Sequence, residues 1–187
     1  MEQTTKTALL IMDMQSAILK NLPDATGFIS NVARAIANAR KHHLPVIYVM
    51  VGFRVGAPEI SVRNKSFSAN GGKAKWTAEF VEQWMKIHPD VAPREDDIIV
   101  TKRRISAFTG SDLEVVLRGQ DIRHIILTGI ATSGVVLSTV REAADKDYQL
   151  TVIADCCADA DEEVHRVLTT KVFPRQAEVV ALEQWLM

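Results

Sequence analysis

The sequence predicts an α/β fold, a three-layer α/β/α sandwich around a six-stranded, mainly parallel Rossmann-like sheet. Three observations carry this. Six short apolar runs alternate with segments of helical periodicity. The runs are almost continuously apolar, as in strands covered on both faces, and do not show the in-out alternation of a half-exposed sheet. Strands and helices in strict alternation close through right-handed crossovers into a doubly wound sheet.

The first strand is ALLIMD at 8–13. After Pro23 a helix is expected over 28–42, because Phe28, Ile29, Val32, Ala33, Ile36 and Ala37 follow the i, i+3/i+4 rule. LPVIYVMV (44–51) is the second strand, entered through a proline whose missing N–H does no harm there. Residues 52–73, rich in Gly, Ser, Asn and Arg, have no sustained period and exceed a simple connection, which marks a functional loop. A helix at 77–87, a strand at 97–102 and a helix at 112–118 follow. HIILTGI (124–130) is the fourth strand, and the helix after it, over 134–147, carries the stripe Val136, Val140, Ala143 and Ala144. A strand at 150–155, a helix at 161–171 and a last strand at 177–182 complete the chain, with no repeat and no linker.

The 187 residues are expected to form one domain over 1–187 with a substantial core. A hydrophobic share of 47% is ordinary for a globular protein. The formal charge of −1 gives no footprint for nucleic acid or an anionic membrane. No apolar run nears the roughly 18 residues of a membrane span, and the apolar run before Asp13 is too short for a signal peptide. A cytoplasmic protein is therefore expected. Cys156 and Cys157 are adjacent, which disfavours a disulfide between them and gives no zinc-site spacing. The histidines, at 42, 43, 88, 124 and 165, are scattered and read as structural or solvated. No Gly-x-Gly-x-x-Gly follows the first strand and no Walker loop occurs, so no nucleotide cofactor is expected. No metal is expected either.

In such sheets the ligand sits outside the carboxyl ends of the strands, near the switch in strand order. The residues there are Asp13, Arg54, Lys102, Arg103, Arg104, the turn 129–134 and Asp155. Asp13 ends an apolar run, where an unpaired carboxylate costs several kcal/mol unless it is paired or functional. Lys102 ends its strand in the same way, so the two can meet over the sheet edge, with the lysine tuning the Asp pKa or stabilising an anion. Arg103 and Arg104 are expected in solvent. The turn 129–134 offers main-chain donors for an anion or oxyanion, while Thr132 or Ser133 could simply cap the following helix.

Three ordered blocks, ALLIMDMQ, KRRISAFTGSDLEVVLR and GIATSGVVLSTVREAADKDYQLTVIADCCAD, resemble the isochorismatase-like (cysteine hydrolase) superfamily and cover most of the chain. The resemblance implies a catalytic set of an Asp after the first strand, a Lys after a middle strand, and a Cys at the start of the helix after Gly-[Ile/Val]-x-Thr-x-x. Asp13 and Lys102 match the first two, and the third place is read as Gly134. Amide-cleaving members such as nicotinamidases form a thioester through that cysteine, which is not available here. The Asp-x-His metal motif that nicotinamidases carry after their second strand is also missing from YVMVGFRVG. Isochorismatases have a Gly at the cysteine's place. Their likeness implies hydrolysis of a vinyl ether, with Asp13 as general acid in a dry pocket and Lys102 positioning the carboxyl or substrate.

The same resemblance assigns carboxylate binding to the loop after the second strand, here Arg54 and Arg63; RNKSF (63–67) also offers Asn64 and Ser66 as polar contacts, and Trp76 and Phe108 either wall the pocket or pack in the core. Ala131, Thr132 and Ser133 would touch the substrate, and a non-proline cis peptide is expected at Ile130–Ala131. The expectation is a hydrolase of a small anionic molecule, without cofactor, assembling as a dimer or larger as its relatives do. Two other readings stay open: a lapsed member that binds small molecules or partners, and an amidohydrolase whose nucleophile has moved to Ser133, Cys156 or Cys157.

Overall fold

The computed structural model describes residues 6–69 and 72–186. In chain order the elements are β1 (Lys6–Met12), α1 (Ser16–Leu19), α2 (Thr26–Lys41), β2 (Val46–Val51), α3 (Lys65–Ser68), α4 (Ala78–Trp84), β3 (Ile98–Lys102), α5 (Leu113–Gly119), β4 (Ile122–Ile130), α6 (Leu137–Asp145), β5 (Gln149–Ala158), α7 (Glu162–Val167), β6 (Glu178–Val180) and α8 (Leu182–Trp185). A wide turn of π type, Thr132–Val136, leads into α6, and a second, Leu168–Val172, prolongs α7.

The six strands run in the order β3-β2-β1-β4-β5-β6, and every pairing is parallel. The expected sheet is thus present and wholly parallel. The chain winds outward from β1 through β2 to β3, returns to place β4 beside β1, and continues to β6. The switch point lies between β1 and β4, so the crevice expected from the fold opens above Met12 and Gly129, which pair across it.

Successive residues of β1 feed opposite faces of the sheet. Leu10 and Met12 join Ile47, Val49 and Leu127 under Leu113, Leu117, Val140 and Ala143 of α5 and α6. Leu9 and Ile11 join Tyr48 and Ile126 under Val32, Ala35, Ile36 and Ala39 of α2. This is why β1 reads as unbroken apolar sequence. Burying each of these aliphatic side chains contributes about 1.5–3 kcal/mol. A third cluster lies beyond the sheet: Phe53 and Trp76 pack edge to face at 4.8 Å, and Trp76 meets Phe80 and Trp84 in the same way at 5.1 and 5.6 Å. It anchors the long segment after β2, in which the sequence showed no sustained period. Thr77 caps α4 by accepting from the Phe80 N–H.

Most boundaries shift by a few residues from expectation, and three of the shifts matter. β1 ends at Met12, so Asp13 is the first residue past the strand. β5 runs on to Ala158, with a register shift against β4 between Leu127 and Gly129, and takes both cysteines into the sheet. The last strand is only Glu178–Val180, because Leu182 already begins α8. Gly129 answers a steric demand: at φ 133° a Cβ there would lie 2.1 Å from the Met12 carbonyl oxygen. Only glycine lets β4 pass that close to β1. No helix among the described residues is long and apolar enough to cross a membrane.

Candidate active site

Asp13 leaves β1 with its N–H still donating to Val49 O (2.8 Å), but its backbone turns into the left-handed region at φ 57°. Aspartate tolerates that region better than most residues. The carboxyl sits over the sheet edge, with Oδ2 3.0 Å from Lys102 Nζ at the end of β3. Asp13 is 5% exposed and Lys102 1%. The ammonium also donates to Arg104 O (3.0 Å) and Ile105 O (2.9 Å), so all three of its donors are used. Oδ1 of Asp13 is buried and meets no hydrogen-bond partner among the described residues. Burial pushes the Asp13 carboxyl up to about 6, against the Lys102 charge, the Lys102 hydrogen bond and the Val51 main chain, which act to lower it. The expected meeting of Asp13 and Lys102 is met, and it engages only one of the two carboxyl oxygens.

Two buried polar side chains hold this pair in place, and neither was found from sequence. Thr139 accepts from the Ala107 N–H (3.0 Å), tying α6 to the segment whose carbonyls hold Lys102. A signal for it existed, since Thr139 falls on the buried stripe between Val136 and Val140. Gln15, fully buried, accepts from Val51 N (2.9 Å) and donates to Val51 O (3.1 Å) and Trp84 O (2.7 Å). Its amide fastens the end of β2 and the end of α4 to the segment after Asp13. No periodicity could have marked it, because it acts across three distant segments.

The turn after β4 contains the cis peptide Ile130–Ala131. Thr132 is buried and its Oγ1 lies 2.8 Å from His165 Nδ1, while Ala131 occupies the cap position without a side-chain bond. Neither Thr132 nor Ser133 caps the helix, contrary to that expectation. The Ser133 N–H donates to Asp159 Oδ2 (2.7 Å) and the Gly134 N–H to Ala131 O (3.0 Å). Two donors expected to face an oxyanion are therefore spent inside the chain. Burial raises the His124 and His165 environments' cost of charge, and both imidazoles are held below their usual range.

An isochorismatase domain matches residues 7–184. The chain belongs to the isochorismatase family of hydrolases. It is 33% identical over 181 residues to the uncharacterized isochorismatase family protein YwoC of Bacillus subtilis, covering 97% of this chain and 93% of that one. It is 31% identical to the ureidoacrylate amidohydrolase RutB of Pseudomonas syringae, covering 84% and 73%. Among solved structures, an isochorismatase family protein of Burkholderia thailandensis superposes with a TM-score of 0.85 at 27% identity, over 97% of this chain and 94% of that one.

Set against the isochorismatase-family motif, one assignment needs correction. Gly129, Ile130, Ala131, Thr132, Ser133 and Gly134 fill the six positions of Gly-[Ile/Val]-x-Thr-x-x themselves. The residue at the cysteine's place is Val135, not Gly134. Val135 is 2% exposed and packs within the α5/α6 core, whereas a Cβ on Gly134 would meet only Ala131 Cβ, at 3.8 Å. An isopropyl group there can neither attack a carbonyl nor titrate.

The remaining candidates are dispersed. Arg54 is exposed and pairs with Glu59. Arg63 is exposed, its N–H on Ser61 Oγ. Asn64 caps α3 by accepting from Phe67 N (3.2 Å), which gives its side chain a structural task; Ser66 is exposed on that helix. Trp76 belongs to the aromatic cluster and Phe108 to the core beside Tyr148. Arg103 and Arg104, expected in solvent, are instead partly buried: Arg103 reaches Gly52 O and Glu59, and Arg104 reaches Arg103 O and Glu59 O. Asp155, at the same sheet end, accepts from the Leu182 N–H.

The relocated nucleophiles are poorly set for attack. Cys156 and Cys157 are buried, and burial pushes both thiols up, Cys157 to about 12; a thiol held protonated is not a nucleophile. Among the described residues no histidine hydrogen-bonds Ser133, and the nearby imidazole nitrogen, His165 Nδ1, lies 2.8 Å from Thr132 Oγ1. Burial raises Asp159, but hydrogen bonds from the Ser133 hydroxyl and N–H outweigh it and hold this carboxyl below its usual range, which makes it a weak base. Among the described residues no group of three or more His, Cys, Asp or Glu is placed to hold a metal ion.

Proposed function

We propose that this isochorismatase-family hydrolase acts on a small anionic molecule through proton transfer by Asp13, without a covalent thioester, and that vinyl-ether hydrolysis is the leading reaction. The observation that carries it is the buried, partnerless Oδ1 of Asp13, on a carboxyl pushed up to about 6 beside Lys102. At pH 7 about one carboxyl in ten is then protonated, enough for a general acid whose proton affinity matches its working pH. Oδ1–H would protonate the enol-ether carbon, water would add to the resulting oxocarbenium ion, and the hemiketal would collapse with loss of the alcohol. Lys102, tied by three acceptors, keeps Oδ2 fixed so that Oδ1 is the oxygen that exchanges the proton.

The vinyl-ether preference rests on Asp13 and no longer on a glycine at the nucleophile's place. The amidohydrolase among the relatives supports a second reading, cleavage of an amide or ureide, in which Asp13 would act as a base toward water. A screen of isochorismate, simple amides and ureides on wild type and Asp13→Asn tests both. The proposal expects turnover of a vinyl ether by wild type and none by Asp13→Asn. Normal turnover by the variant sinks it. Turnover of ureides alone selects the second reading. Val135→Cys adds a further arm, since it restores a thiol at the family's nucleophile position.

A further inference from the structure

The loop after β2 and the segment after β3 meet around one carboxylate. Glu59 Oε1 pairs with Arg54 Nη1 and lies 3.6 Å from Arg103 Nε. Arg104 reaches the Glu59 main-chain oxygen at 3.1 Å, and Arg103 reaches Gly52 O. Two guanidinium groups thus meet the Glu59 carboxylate and a third meets its main chain, so three positive charges gather around one negative charge. The fit is also incomplete. Each guanidinium can hold a carboxylate through two parallel bonds. Here Arg103 meets Glu59 only at that longer distance, and Arg104 has two main-chain carbonyls and no carboxylate.

The cluster adjoins the candidate site through the main chain around Lys102. Arg103 and Arg104 directly follow Lys102, Arg104 O is one of the acceptors that hold Lys102 Nζ, and Gly52 N donates to Lys102 O (3.2 Å). Its side chains grade outward, with the Glu59 side chain 13% exposed, Arg103 25% and Arg54 68%. The contacts that gather the arginines also fasten the loop above Asp13 and Lys102, which are themselves sealed from solvent.

We propose that Arg54, Arg103 and Arg104 form an anion site at the mouth of the crevice, that Glu59 fills it in the resting chain, and that a ligand carboxylate displaces Glu59 and so frees the loop at 52–63. This rests on the reading that the substrate is a small anion, and it adds to that reading a built-in competitor. Binding of a carboxylate then carries two consequences at once: it occupies the arginines and removes the contacts that close the loop.

The test is equilibrium binding of malonate, with the uncharged malonamide and inorganic phosphate as separate arms, to wild type, Glu59→Gln and Glu59→Gln/Arg103→Gln/Arg104→Gln. Tryptophan fluorescence reports it, because Trp76 accepts from the loop's Gly56 N–H (2.8 Å). Glu59→Gln should bind malonate about tenfold tighter than wild type, roughly the strength of one charge-assisted contact released from competition. The triple variant should lose that binding, and malonamide should not bind any of the proteins. Phosphate binding at equal strength would show a site for oxyanions in general, still of this construction. Unchanged malonate affinity in Glu59→Gln overturns the proposal, as does malonamide binding as well as malonate. A urea unfolding curve for each variant confirms that it is folded. Glu59→Ala repeats the comparison should the glutamine re-form the contacts. Because the readout is binding, absence of turnover overturns only the hydrolytic reading.

Discussion

Replacing Asp13 by asparagine should flatten a pH dependence of stability that the wild-type chain carries. Asp13 is buried beside Lys102 with one oxygen unpartnered, and burial lifts its carboxyl from 3.8 to about 6. At about 1.4 kcal/mol per tenfold change in proton affinity, this rise corresponds to about 3 kcal/mol. The native state holds the proton more tightly than the unfolded chain. Its contribution is therefore complete below the unfolded value of 3.8 and is lost as pH rises through about 6. Urea unfolding of wild type and Asp13→Asn at pH 4, 5, 6 and 7 measures it, since other titrating groups act in both proteins and cancel in the difference. The wild-type stability minus that of the variant should fall by about 2 kcal/mol from pH 4 to pH 7, the rest of the change lying outside that window, and this is a sizeable share of the 5–15 kcal/mol typical of a domain. A difference that is flat with pH would mean that Asp13 keeps an ordinary carboxyl. A difference that rises would mean that Lys102 outweighs burial. Either result refutes the acid assigned to Asp13.

Lys102→Met removes the charge that opposes burial, so the Asp13 carboxyl should titrate above 6. It also strips the Arg104 and Ile105 carbonyls of their donor and should cost about 3 kcal/mol in urea unfolding. Gly129→Ala forces a Cβ against the Met12 carbonyl at 2.1 Å, and should destabilise the fold by about 3 kcal/mol or more on the same measurement. Thr139→Val keeps the shape but orphans the Ala107 N–H. A loss of about 1–3 kcal/mol is expected, with faster hydrogen exchange at Ala107. Cys156 and Cys157 should resist an aromatic disulfide reagent in the native protein and react once it is unfolded.

Much of this architecture was legible in the sequence because strands covered on both faces must be apolar throughout, and helices must repeat that demand every three or four residues. The runs ending at Asp13 and Lys102 therefore announced both the sheet and the pair of charges at its carboxyl edge. Other features are set by contacts between segments far apart in the chain, and periodicity carries no trace of them. Gln15 looks like an ordinary polar residue until β2 and α4 are brought to either side of it. Arg103 and Arg104 read as solvent-facing until the loop after β2 folds over them and supplies Glu59 and Gly52 as partners. The turn's N–H donors looked available because Asp159, which takes one of them, lies 26 residues further on. Sequence alone determined which strands form the sheet and which two charges end them, since burial imposes those residue types locally. Tertiary structure alone decided that Asp13 keeps one oxygen unpaired in a dry setting, because that depends on which groups the folded chain places around it and which it withholds.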